Sequence, residues 1–89
     1  MAHLIVRHTV QDFAKWKPVY DADRTARQAA GLKDLFLWRN ADKPNELVLL
    51  FEVSDIAKAK AFTTTPDLKE KMTAAGVLGP PDIVFLSDA

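Results

Sequence analysis

Two spacings of apolar side chains alternate along this chain. Residues 2–8, AHLIVRH, form a short β-branched run that puts Leu4, Val6 and His8 on one face of a strand and His3, Ile5 and Arg7 on the other. The period then lengthens. Phe13, Trp16 and Tyr20 are spaced by three and four, which aligns them on one face of a helix. Thr9 with Asp12 three residues on predicts the helix start, since the hydroxyl can accept an early N–H while the carboxylate meets the positive end of the dipole. Pro18 cannot donate to the carbonyl four residues back, so a kink or break is expected between Trp16 and Val19. Helix then resumes from Tyr20 to Ala30, and Gly31 suits the left-handed cap position.

Two strand-like runs come next, KDLFLWRN at 33–40 and ELVLLFEV at 46–53, joined by ADKPN with its turn residues. Ser54 or Asp55 can cap a second helix through IAKAKAF, and Thr65 with Pro66 restarts it as far as Gly76. Gly79, Pro80 and Pro81 read as a turn before a last strand, DIVFLS. The order βαββαβ predicts an α+β, ferredoxin-like single domain over residues 1–89: a four-stranded antiparallel sheet with helices on one face. Two helical regions cover one side of such a sheet, yet the strands are apolar on both sides. Leu47, Leu49, Phe51 and Val53 alternate with Val48 and Leu50, and Leu35 and Leu37 with Phe36 and Trp38. An uncovered apolar sheet face calls for a partner, so the expected state is a homodimer joined through sheet faces.

Composition narrows the classes further. Lys and Arg together number twelve, as do Asp and Glu, giving zero net charge, so no global field draws in nucleic acid or an anionic membrane. No apolar run reaches membrane-spanning length and MAHLIVRH lacks the pattern of a signal peptide. There is no cysteine, hence no disulfide, thiolate metal site or Cys nucleophile. A soluble cytoplasmic protein is expected.

The chain resembles the dimeric α+β barrel superfamily, and within it the small bacterial proteins similar to antibiotic-biosynthesis monooxygenases that are often termed cyclase-like. The resemblance is carried by His8 at the end of the first strand, DFAKWKPVYDAD with Trp16, Pro18 and Asp21, Arg27, the AGL at 30–32, and MTAAGVLGPPDI. It implies a pocket within each subunit between helices and sheet, and, as one outcome among several that the fold supports, cofactor-independent chemistry on a small aromatic or polyketide-like molecule. The haem-degrading branch of the superfamily uses an Asn on its first strand and a helical His as iron ligand. Here the first strand has no Asn and residues 55–75 have no His, so haem is not expected and no cofactor is assigned. The Asn, Trp and Tyr set of the quinone-forming oxygenases is not aligned with Trp16, Tyr20 or Trp38, and its roles are not transferred.

His8 is the candidate catalytic residue, because imidazole titrates near neutrality and a strand end is a common place for a general base. A ring hydrogen-bonded at a strand end for structural reasons fits the same position. His3 lies an odd number of residues away and faces the other side, so the two cannot chelate one metal from a regular strand. Trp16, Tyr20, Asp21, Arg24 and Trp38 are the candidate substrate-binding residues: the aromatic stripe continues into Asp23, Arg24 and Arg27, and a polar lining after an aromatic one suits a planar organic ligand with a polar handle. The competing reading is a core stripe followed by a solvated face with pairs such as Asp23 with Arg27. Trp38 and Arg39 must face opposite ways, with Trp38 assigned to the pocket. Arg7 or Arg39 could pair with Glu52. No phosphate loop, nucleophile elbow or metal motif is present. A non-catalytic module that binds a small ligand or serves assembly therefore stands beside the enzyme reading.

Overall fold

The alternation in ELVLLFEV becomes an alternation in burial: Leu47, Leu49, Phe51 and Val53 are all 3 % exposed or less, while Val48 and Leu50 between them stay half-buried. A computed structural model describes residues 2–89. Its elements are β1 (Ala2–Val10), α1 (Phe13–Ala22), α2 (Arg24–Ala29), β2 (Leu32–Arg39), β3 (Glu46–Val53), α3 (Ile56–Thr63), α4 (Pro66–Ala74) and β4 (Val77–Leu86). The four strands make one sheet in the order β2-β3-β1-β4, antiparallel throughout, which is the ferredoxin-like arrangement expected from the sequence.

The helix caps obey the chemistry of their residues, with one correction. Asp12, not Thr9, caps α1: its carboxylate accepts from the Ala14 N–H at 2.9 Å, and Thr9 remains within β1, paired to Glu46 and Leu78. The sheet has two neighbours to offer the backbone there, which outweighs one capping bond. Asp55 and Thr65 cap α3 and α4 as expected, with Pro66 at the start of α4. Pro18 does not break α1, which runs through it to Ala22. The break falls at Asp23 instead, because the Tyr20 carbonyl leaves the helical ladder to accept from Asp23 N (3.2 Å) and from the Arg27 guanidinium (2.6 Å).

Two irregularities in the sheet decide which side chains reach its helix side. Between Asp34 and Phe36 the β2–β3 register slips by one residue, so β2 carries a bulge at Leu35. Asp34 opposite Phe51 and Leu37 opposite Leu49 thereby share the helix side, although three residues separate them. Between Arg7 and Thr9 the β1–β4 pairing jumps from Asp82 to Leu78, leaving Gly79, Pro80 and Pro81 opposite His8 alone. These residues, expected as a turn before the last strand, form a bulge within β4 instead, where the missing N–H groups of proline cost no ladder bonds.

The outer face presents a continuous apolar row, Phe36–Leu50–Ile5–Val84, across all four strands. Phe36 and Val84 in that row are 56 % and 49 % exposed. Arg7, also outward, pairs with Glu46 at 2.8 Å rather than with Glu52. Among the described residues no helix is long and apolar enough to cross a membrane.

Gly31 joins the helical layer to the sheet. Its φ is +82°, the left-handed region, its carbonyl accepts from Ser54 N at 3.0 Å, and a Cβ placed on it would lie 2.6 Å from Ser54 Oγ. Gly31→Ala is expected to cost about 1–3 kcal/mol, read as a lower denaturant midpoint with unchanged m-value.

Candidate functional site

The core is incomplete on one side. Trp16 on α1, Arg27 on α2 and Ala59 on α3 are buried against the sheet, but α4 buries no residue. Beneath it is a cavity of about 790 Å³, within the usual range for small-molecule sites. Leu4, Val6, His8, Leu49 and Phe51 of the sheet form its floor, and Trp16, Tyr20 and Arg27 form one wall. Phe62, Leu68 and Met72 of α3 and α4 lie across from them, with Pro80, Pro81 and Ile83 of β4 at the open side. Leu68 and Met72 are four apart on α4, so its apolar stripe faces the cavity instead of packing on the sheet.

His8 sits at the base, 8 % exposed, with its ring edge-on to Trp16 at 5.6 Å between centroids. Neither ring nitrogen has a hydrogen-bond partner. Buried polar atoms are nearly always partnered, and an imidazole left without partners at a cavity is placed to meet one that arrives. Burial away from water lowers its pKa from 6.5 to about 4, so the ring is neutral at physiological pH, with one nitrogen a donor and the other an acceptor. The competing sequence reading, a ring fixed by structural hydrogen bonds, does not describe this side chain.

The aromatic stripe of α1 is a stack. Phe13, Trp16 and Tyr20 succeed one another at 5.8 and 4.7 Å, and the Arg27 guanidinium caps the far face of Tyr20 at 3.7 Å. Burial pushes the Tyr20 phenol up to about 12, with nearby Arg27 opposing the shift and Asp34 adding to it. Arg27, 5 % exposed, is bound side-on to Asp34 at 3.1 and 3.0 Å. Asp23, at the α1–α2 break, is held by Lys71 of α4 at 2.9 Å, which ties that helix across the cavity to its opposite wall. The Asp23 carboxylate in turn holds the Lys71 ammonium above the usual lysine range.

The structure thus brings His8, Trp16 and Tyr20 together around one cavity and places the other three candidates elsewhere. Asp21 is exposed and paired with Lys17 at 2.7 Å. Arg24 is exposed, 3.6 Å from Asp34 on the outside of the cluster. Trp38 lies on the outer face of the sheet, 48 % exposed and stacked on Phe36 at 4.8 Å, while Arg39 turns to the helix side over the Phe13 ring. The polar lining comes from Asp23 and Arg27, each with a partner other than the expected i,i+4 one. Both continue the helical stripe, three and seven residues after Tyr20, so Arg27 turns inward and meets Asp34, whereas Arg24 stays exposed. A signal for this existed in the sequence: Asp34 is a lone carboxylate in an apolar run, and a carboxylate there needs a buried cation. Among the described residues no three His, Asp or Glu side chains converge as a metal site.

No protein family and no curated protein matches the chain by sequence. Solved structures do match its fold. A candidate antibiotic biosynthesis monooxygenase from Bordetella bronchiseptica superposes with a TM-score of 0.78 at 17 % identity, covering 99 % of this chain and 96 % of that one. Another from Caulobacter crescentus gives 0.74 at 18 % identity over 99 % and 89 % of the two chains. SnoaB, a cofactor-independent oxygenase from Streptomyces nogalater, gives 0.69 at 22 % identity over 98 % and 91 %. The chain has the fold of antibiotic-biosynthesis-monooxygenase domains from end to end, as the sequence resemblance implied.

The lowered pKa of His8 sets a pH dependence of stability. The unfolded chain takes up a proton near pH 6.5 and the folded one only near 4, so the unfolded state binds more protons in between. This contribution is fully present above pH 6.5 and falls as pH drops from 6.5 to about 4, by up to about 3 kcal/mol. In urea titrations against pH, subtracting a His8→Leu variant from the wild type removes the carboxylate background, and the remaining difference should change over that window.

Proposed function

We propose that the cavity binds a small planar organic molecule and that the protein is a cofactor-independent, monooxygenase- or cyclase-like enzyme acting on an aromatic or polyketide-like substrate. One observation carries this reading: a buried imidazole with two unpartnered nitrogens at the base of a cavity walled by stacked aromatic rings. The cavity-side edges of the stacked Trp16 and Tyr20 rings and the apolar floor suit the carbon skeleton of such a ligand. His8 would accept a proton from an acidic methylene or hydroxyl of the substrate, leaving an enolate. With dioxygen as co-reactant the enolate can go on to a ketone, one methylene and one O₂ giving one carbonyl and one water, with no further oxidant required. SnoaB, described as a cofactor-independent oxygenase, makes that route a reasonable one to test.

A ring that stays neutral down to about pH 4 is a weak base in bulk water. Inside the cavity the imidazolium and the enolate would form side by side where attraction between opposite charges is strong, which lowers the cost of the transfer. The alternative is a module that binds the same class of ligand without turning it over. His8 with no partner supports ligand contact in either case.

We also propose a homodimer, formed by packing the outer sheet faces around the Phe36–Leu50–Ile5–Val84 row and Trp38. The absence of cysteine suits a cytoplasmic setting. Light scattering at micromolar concentration should give twice the chain mass. Leu50→Lys should halve it or unfold the protein, because an unpaired ammonium is costly to bury, and a wild-type monomer would end the dimer proposal.

For the site, an anthrone bearing hydroxyl groups is the probe. Quenching of Trp16 fluorescence is expected on binding, with oxygen uptake that His8→Gln abolishes while retaining the quenching. Binding without uptake would establish the alternative, and no binding would remove both readings.

A further inference from the structure

We propose that the polar end of the cavity takes a carboxylate, so that the ligand is a planar aromatic acid whose acid group lies at Arg27 with Lys71 and Lys69 beside it. The inference rests on the cavity being a ligand site and adds the charge that the ligand must carry.

The chain as a whole is neutral, but the cavity is not. Among the described residues its lining holds three cations, Arg27, Lys69 and Lys71, against one carboxylate, Asp23. Asp23 is already engaged by Lys71 at 2.9 Å. The counter-ion of Arg27, Asp34, lies behind it and is shared with Arg24 at 3.6 Å. With Arg24 and Asp34 behind the wall counted, four cations stand against two carboxylates on and behind the lining. The remaining acids do not line the cavity: Asp21 is neutralised by Lys17, and Asp67 and Glu70, on the same helix as Lys71, are exposed and off the lining.

Arg27 also has donors to spare. A guanidinium carries five N–H groups. Nε and Nη2 each give one to Asp34 and Nη1 gives one to the Tyr20 carbonyl, which leaves one N–H on Nη1 and one on Nη2 without a partner. Two N–H groups on the terminal nitrogens are what a carboxylate accepts in the two-point mode that favours arginine over lysine. The guanidinium is held in place on three sides by Asp34, the Tyr20 carbonyl and the Tyr20 ring, so little entropy remains to be lost when an anion binds. A flat acid would then lie against the cavity-side edges of Trp16 and Tyr20, its carboxylate at Arg27 and its far end towards His8.

Matched probes test the charge alone. In a Trp38→Phe background, where Trp16 is the sole indole, titrations with naphthoate and with naphthamide compare an acid and its neutral isostere. Naphthoate should bind about tenfold more tightly at low salt, and the preference should shrink as salt is raised. Asp23→Asn, which removes the one carboxylate of the lining, should widen the preference. Lys69→Gln and Lys71→Gln, both on the exposed helix α4, should narrow it without loss of fold, which makes them safer than replacing buried Arg27. Naphthamide binding as tightly as naphthoate, or a preference that ignores salt and all three variants, overturns the inference and leaves the cavity reading standing. If neither probe quenches Trp16, the cavity reading fails along with it.

Discussion

The interaction on which most of this structure depends is the burial of one cation. Arg27 lies at 5 % exposure, and a buried guanidinium is tolerable only when its donors are met. Meeting them requires three separate groups. Asp34 shares the helix side with Leu32 just before the Leu35 bulge, the break at Asp23 frees the Tyr20 carbonyl, and the Tyr20 ring lies flat under the guanidinium. Removing one partner of such a pair typically costs about 3–5 kcal/mol, a large part of the total stability of a domain this small. The cation thereby locks α2 to β2 and fixes the orientation of the aromatic stack that walls the cavity.

The cavity itself results from what α4 does not do. In a complete ferredoxin-like core every helix would bury an apolar stripe on the sheet, and α4 has such a stripe in Leu68 and Met72. It is held away by geometry: the loop of Gly79, Pro80 and Pro81 displaces β4 opposite His8, and the Lys71–Asp23 pair anchors α4 to the far wall. Surface ion pairs contribute little to stability as a rule, so this one matters more for where it puts the helix than for its energy. An apolar void of this size forfeits contact energy in proportion to its volume. The unpartnered His8 lies at its base, which is where the proposed recognition would be centred.

The outer face of the sheet poses the complementary problem. Phe36 and Trp38 are stacked on each other in the open, with Val84, Leu86 and half-buried Ile5 and Leu50 around them. One face of the sheet thus has helices that do not fill it, and the other has no cover at all. The first is suited to a small molecule and the second to another sheet, so the proposed ligand and the proposed partner subunit would take opposite sides of the same four strands.

What the sequence determined by itself was everything that depends on neighbours along the chain. The period of apolar residues set the four strands and the two helical regions, Asp55, Thr65 and Pro66 set the caps of the second, Gly31 set the turn into β2, and apolar runs on both faces made both sides of the sheet apolar. His8, Trp16 and Tyr20 were legible for the same reason, since strand parity and helical spacing put them on the inner side. The tertiary structure decided what depends on a single misplaced residue. One extra residue in β2 reverses the parity that would have turned Trp38 inward, so Trp38 leaves the site and Arg39 takes the helix side. Of the charges that follow the aromatic stripe, Asp23 and Arg27 line the cavity while Asp21 and Arg24 pair outside it, a choice made by the partners Lys71 and Asp34. Bulges and breaks are chosen by whichever long-range partner satisfies a buried charge, and that partner is not a neighbour in sequence.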